Sequence, residues 1–154
     1  MGKVDIVKYL NIPYLHEGRD WSALDCYGLV RLFYITEFGF ELPDYSYKKN
    51  WVETKDFSFL KDKLWQHCKK IKVYKKYCIA GFKMPGSKLM DHMGLMLDEI
   101  SFLHAVRNSE DESGDIIKAG YVRVSKLTEK IWQHNLCGFW LPKELDVDGT
   151  ANYI

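Results

Sequence analysis

The sequence predicts an α+β fold, with helices in the first half and mostly antiparallel strands in the second. Two observations predict it. From about Asp25 to Phe38, Leu29, Val30, Phe33 and Phe38 recur on one face at spacings near the 3.6-residue helical repeat. Beyond about residue 73 the pattern changes to short apolar runs separated by turn residues, which read as strands. Helices first and antiparallel strands afterwards make the α+β class.

Taken in order, 3–10 reads as a short helix. Residues 11–21 read as loop, broken by Pro13 and Gly18. The helix from Asp25 ends where Gly39 can close it, and Pro43 prevents its continuation. Residues 44–56 form an aromatic-rich loop, and 57–69 a second helix through Phe59, Leu60, Leu64 and Trp65. Val73–Phe82 is a candidate strand, followed by a turn at Met84-Pro85-Gly86-Ser87. His92–Leu97 and Phe102–Val106 read as strands joined at Asp98-Glu99. Residues 107–116 read as an acidic surface loop. Tyr121–Val124 is a strand, 125–134 a short helix and Cys137–Leu141 a last strand.

The 154 residues suit one domain, 1–154, able to bury a core without disulfides or metals. Aromatics stand out at 15%, which suits a packed core, a cleft or an interface. A net charge of +1 argues against nucleic-acid binding. The local run Lys69, Lys70, Lys72, Lys75 and Lys76 reads as a solvated face, the alternative being contact with an anionic surface such as a phosphate-rich cell-wall polymer. Cys26, Cys68, Cys78 and Cys137 form no CxxC pair and no zinc-type spacing, so no metal and no cofactor are expected. Scattered cysteines fit synthesis in a reducing cytosol. The N-terminal stretch lacks the apolar core of a signal peptide, and no run approaches the length of a membrane span. A target outside the cytoplasm would need another route of delivery.

One constellation carries chemistry. Cys26 falls on the first turn of the predicted helix, where Asp25 or Ser22 could cap. The helix dipole there is expected to lower the thiol pKa and favour the nucleophilic thiolate. His92 and His104 lie twelve residues apart, hence on one face of a hairpin. A turn centred on Asp98 pairs Met96 with Ile100, Gly94 with Phe102 and His92 with His104, with Cβ atoms roughly 5 Å apart. Gly94 would then leave room for the helix bearing Cys26. A thiol at a helix N-terminus, an imidazole base (His92) and a polar group orienting that base (His104) match the logic of an activated nucleophile.

The run Gly18 to Ser46, with Asp25-Cys26-Tyr27-Gly28-Leu29-Val30-Arg31, Phe38-Gly39 and Leu42-Pro43, resembles the nucleophile segment of the NlpC-type cell-wall peptidases. Asp91 to Ala105 resembles that family's His-x-Gly strand followed by a His-Ala strand. The order and the twelve-residue separation also match. The aromatic after the cysteine and the late Gly138-Phe139-Trp140 resemble the tail-tip peptidases of long-tailed bacteriophages. Three features depart from the family pattern: Glu17-Gly18 replaces a glycine pair, Tyr27 replaces a serine, and a Gly-Asp segment ahead of the first His strand is not evident.

The resemblance implies a papain-like fold and hydrolysis of an amide in the peptide stem of peptidoglycan. It implies that Tyr14 lines the site and helps position the oxyanion, and that Asp25 helps bind a substrate amine. The implied partners are the stem peptide and other phage tail proteins. The implied location is a virion tail acting on the cell wall after synthesis in the host cytoplasm. Two alternatives share the same residues: a structural tail component that kept the fold without the activity, and a secreted bacterial effector.

Overall fold

The computed structural model describes residues 3–44, 65–87 and 90–146. After one 3-10 turn at Val7–Tyr9 come β1 (Arg19–Asp20), β2 (Ala23–Leu24), α1 (Cys26–Phe38), α2 (Trp65–His67), β3 (Cys68–Ile71), β4 (Ile79–Phe82), β5 (His92–Met96), β6 (Ser101–Ala105), β7 (Ser109–Glu110), β8 (Ile116–Lys118), β9 (Val122–Lys126), α3 (Lys130–Asn135) and β10 (Leu136–Pro142). Among the described residues, one antiparallel sheet runs β3-β10-β4-β5-β6-β9. The pairs β1–β2 and β7–β8 form separate two-stranded ribbons.

Helix α1 starts and stops where its sequence dictates. The Asp25 carboxylate accepts the Gly28 N–H at 2.8 Å, satisfying a first-turn donor that the helix cannot. Gly39 closes the other end in the left-handed region, φ 73°, and its N–H reaches the Ile35 carbonyl. Gly28 sits where the helix crosses the chain before it: a Cβ there would lie 1.9 Å from the Gly18 carbonyl oxygen. Arg31 Nε donates to the Leu42 carbonyl at 2.8 Å, and the Tyr27 hydroxyl donates to the Pro43 carbonyl. These bonds fold the segment after α1 back against it.

The sheet is covered on both faces. On one, Leu29, Val30 and Phe33 of α1 pack with Met93, Leu95, Leu103 and Ala105 of β5 and β6. Each of those three side chains is fully buried, contributing about 1.5–3 kcal/mol apiece. Much of the aromatic excess is spent at the far end of α1, where Tyr9, Phe33, Phe38 and Tyr77 lie ring to ring. On the other face Ala80, Phe82, Met96 and Phe102 pack with Trp132 of α3. The alternation within β5 and β6 assigns odd residues to α1 and even ones to α3.

Several expectations are corrected. The helix over 3–10 is a single 3-10 turn. Of the helix over 57–69 only Trp65–His67 is described as helical; Cys68 and Lys69 belong to β3, and 57–64 lie outside the described residues. The loop at 44–56 also lies outside them, save Asp44. The strand over 73–82 shortens to β4, because the chain turns where Tyr77 adopts φ 66° and the Cys78 N–H bonds the Lys75 carbonyl. Within 125–134, Ser125 and Lys126 still belong to β9 and the helix starts at Lys130. The acidic stretch at 107–116 carries β7 and the start of β8.

The β5–β6 register also differs. Leu95 pairs Leu103 and Met96 pairs Phe102, so the turn centres on Glu99. Asp98 causes the shift: its carboxylate accepts the N–H groups of Ile100 and Ser101 at 2.8 and 2.7 Å. That side-chain turn moves the partner of Met96 two residues along, from Ile100 to Phe102. Continuing the ladder sets Gly94, not His92, opposite His104.

Candidate active site

Cys26 is the first residue of α1, where the backbone turns abruptly from Asp25. Its thiol is half-buried and meets the backbone N–H of Met93, next to His92 at the start of β5. No hydrogen bond closes between the thiol and the His92 ring in this resting arrangement. Catalytic hydrogen bonds are often long without substrate. The thiol faces the α1 side of the sheet, whereas His92 packs among Phe82 and Trp132 on the other. Their meeting ground is the N-terminal end of β5.

The two histidines are joined. His92 Nε2 and His104 Nδ1 lie 2.8 Å apart, and both rings are buried. The contact is a diagonal, since Gly94 is the residue directly opposite His104. A Cβ on Gly94 would come within 2.9 Å of the Phe102 ring and 3.1 Å of His104 Cβ. The glycine therefore makes room for the slanted imidazole pair, not for α1 as its position in the sequence had suggested. Trp132 of α3 stacks on His92 at 5.7 Å and stands edge-on to His104 at 4.9 Å.

Burial governs the protonation of all three groups. Desolvation pushes the Cys26 thiol up to about 12, reinforced by the neighbouring Asp25 charge and opposed by Arg107 and the Met93 N–H. The direction is opposite to the lowering expected from a helix N-terminus, and burial is its largest cause. Desolvation pulls His92 down to about 3, with Arg107 adding to it. His104 falls to about 2 through desolvation, then His92 and Arg123. The resting site holds a neutral thiol and two neutral imidazoles.

Asp25 is the helix cap first. Its Oδ1 accepts from Gly28 and from Arg19 Nη1, and its Oδ2 from the Glu17 N–H, each at 2.8 Å. A substrate amine would have to join that set. Tyr14 is anchored by its N–H to the Gly120 carbonyl and by a bridge to Leu24. Its phenol is raised above its ordinary value by burial and by the nearby Cys26, while a hydrogen bond from Arg107 acts the other way.

Two residues at the site were not singled out by the sequence. Arg107, just beyond β6, reaches the Tyr14 hydroxyl and donates to the Asp91 carbonyl at 3.4 Å. Ser125 of β9 bonds His104 Nε2 at 2.8 Å through its hydroxyl. A hydrophilic residue at a buried position of an otherwise strand-like run was the signal for Ser125. Arg107 carried none. Among the described residues no group of three or more His, Cys, Asp or Glu could hold a metal ion, and no helix is long and apolar enough to cross a membrane.

Comparison with solved structures finds the same architecture. The NlpC/p60 domain of the peptidoglycan hydrolase SagA superposes with a TM-score of 0.50 at 18% identity, over 87% of this chain and 89% of that one. A Staphylococcus aureus protein described as similar to lipoprotein, NLP/P60 family, gives a TM-score of 0.56 at 20% identity, over 88% of this chain but only 38% of that one. At such identities the likeness is one of fold, and it is the α+β, papain-like one. No curated protein sequence matches the chain. The model of the NlpC/P60 family matches residues 11–141, a span that takes in Tyr14, Asp25, Cys26, His92, His104 and Ser125, and the chain belongs to that family.

Proposed function

We propose that this protein is a cysteine endopeptidase that hydrolyses an amide in the peptide stems of bacterial peptidoglycan. The observation that carries the reading is the bonded His92–His104 pair on β5 and β6, with the Cys26 thiol against the backbone one residue along. Membership of the NlpC/P60 family supports the substrate class.

In this mechanism Cys26 Sγ attacks the scissile carbonyl carbon as its proton passes to His92 Nδ1. Because thiol and imidazole both rest neutral, proton transfer accompanies the attack. The oxyanion lies near the first N–H groups of α1, with the Tyr14 hydroxyl beside them. Protonated His92 then returns the proton to the leaving amine, which departs as the C–N bond breaks. Water, deprotonated by His92, attacks the thioester, releases the carboxylate and restores the thiol. His104 orients His92 throughout. Asp25 adds its carboxylate to the pocket for a substrate amine while still capping α1.

We also propose a bacteriophage tail as the setting, with the cell wall as the place of action and other tail proteins as partners. Tyr27 after the nucleophile and Gly138-Phe139-Trp140 in β10 support that setting.

The test is to incubate purified protein with Gram-negative peptidoglycan and read the released fragments by mass spectrometry, with Cys26→Ala as control. New stem-peptide fragments from the wild type alone are expected, and they name the bond. A folded, reduced wild type that releases none overturns the enzymatic reading.

A further inference from the structure

Two hydrogen bonds cross the sheet in one slanted line. Between β5 and β6, His92 lies two residues along from Gly94, the residue facing His104. Between β6 and β9, His104 pairs with Arg123, and Ser125 again lies two residues along. The 2.8 Å contacts His92–His104 and His104–Ser125 therefore form a diagonal relay across three adjacent strands. All three side chains are buried, His104 completely and Ser125 at 4% exposure.

A relay of neutral imidazoles has two possible directions. In one, His104 donates from Nε2 to Ser125, its Nδ1 accepts from His92 Nε2–H, and His92 Nδ1 keeps a free lone pair. In the other, Ser125 donates, each proton moves to the opposite nitrogen, and His92 ends with Nδ1 protonated. Only the first leaves a base.

We infer that Ser125 is a positioning residue: as the acceptor that ends the relay, it fixes the Nε2–H tautomer of His104 and through it that of His92. The inference deepens the peptidase reading and rests on it for its catalytic meaning, though not for its structural content. Removing the acceptor leaves the His104 Nε2–H buried without a partner. The ring relieves this by shifting its proton to Nδ1, which obliges His92 Nε2 to accept and moves the His92 proton to Nδ1. Burial, with His92 and then Arg123 adding to it, holds His104 neutral and keeps the rearrangement between neutral forms.

The experiment labels the histidines with 15N and reads the His92 tautomer by NMR in wild type, Ser125→Ala and Ser125→Thr. The expected result is Nε2–H in the wild type, Nδ1–H gained in Ser125→Ala, and Nε2–H regained in Ser125→Thr, which restores a hydroxyl. On peptidoglycan stem peptide, Ser125→Ala should lose on the order of tenfold in kcat with KM nearly unchanged, a part of the roughly 10²–10⁴-fold that general-base catalysis contributes. Ser125→Cys, close in shape but a weak acceptor, supplies the same comparison should Ser125→Ala unfold. An unchanged His92 tautomer in a folded variant lacking the hydroxyl overturns the inference, as does Nδ1–H in the wild type. An inactive wild type would count against the peptidase reading alone, since the tautomer is read without turnover.

Discussion

A thiol and an imidazole that both rest neutral make a nucleophile that is quiet until substrate arrives. With Cys26 pushed up to about 12, its thiolate fraction at neutral pH is far below that of a free cysteine. We expect iodoacetamide at pH 7.5 to alkylate Cys26 on the order of a hundredfold or more slowly than free cysteine. Exposed Cys137 should label before it. Peptide mapping by mass spectrometry checks the order, and Cys26 labelling first would refute the neutral resting pair. Cys26, His92 and His104 were legible because order and spacing survive in one dimension. Ser125 and Arg107 were not, because the strand register that brings them to the site is set by turns and partners elsewhere in the chain.

Among the elements, α1 was the easiest to foresee, since cap, apolar stripe and terminating glycine all agree there. Strand β3 was hidden because Lys69 and Lys70 face solvent on a sheet edge, leaving only Cys68 and Ile71 buried. Lysines at an edge discourage pairing with another sheet, so the basic run suits that position better than a binding role. The hairpin register was missed by the width of one side-chain turn at Asp98. Gly28 gives the sharpest test at this scale. A Cβ at 1.9 Å from a backbone oxygen cannot be relieved by a rotamer change. We expect Gly28→Ala to cost about 1–3 kcal/mol or more in urea unfolding, since α1 or the Gly18 loop must move. A change within 0.5 kcal/mol, a typical surface effect, would mean that the helix does not approach that loop closely.

For the molecule as a whole, burying titratable groups neutral makes stability depend on pH at both ends. His92 and His104 titrate at about 3 and about 2 when folded, against about 6.5 when unfolded. Between those values the unfolded chain binds more protons, so stability falls as pH drops from about 6.5 towards 3. The cysteines act at the alkaline end: Cys26 and Cys68 at about 12 and Cys78 at about 11 lie above the ordinary 9.0, so stability falls as pH rises past 9. Urea midpoints at pH 7, 5 and 4 should decrease steadily, and His104→Gln should flatten that slope. A variant as acid-sensitive as the wild type would show that the imidazoles are not what acid attacks. The two-layered packing explains why so much is at stake, because the even face of β5 and β6 is closed over by Trp132.

That closure has an optical consequence. An indole held face to face with one imidazole and edge-on to a second loses emission when either ring becomes cationic, by electron transfer at contact distance. The chain has five tryptophans, and among the described residues Trp132 is the one in ring contact with both histidines. The fluorescence difference between wild type and Trp132→Phe thus reports where the proton of the site resides, in solution and without a label.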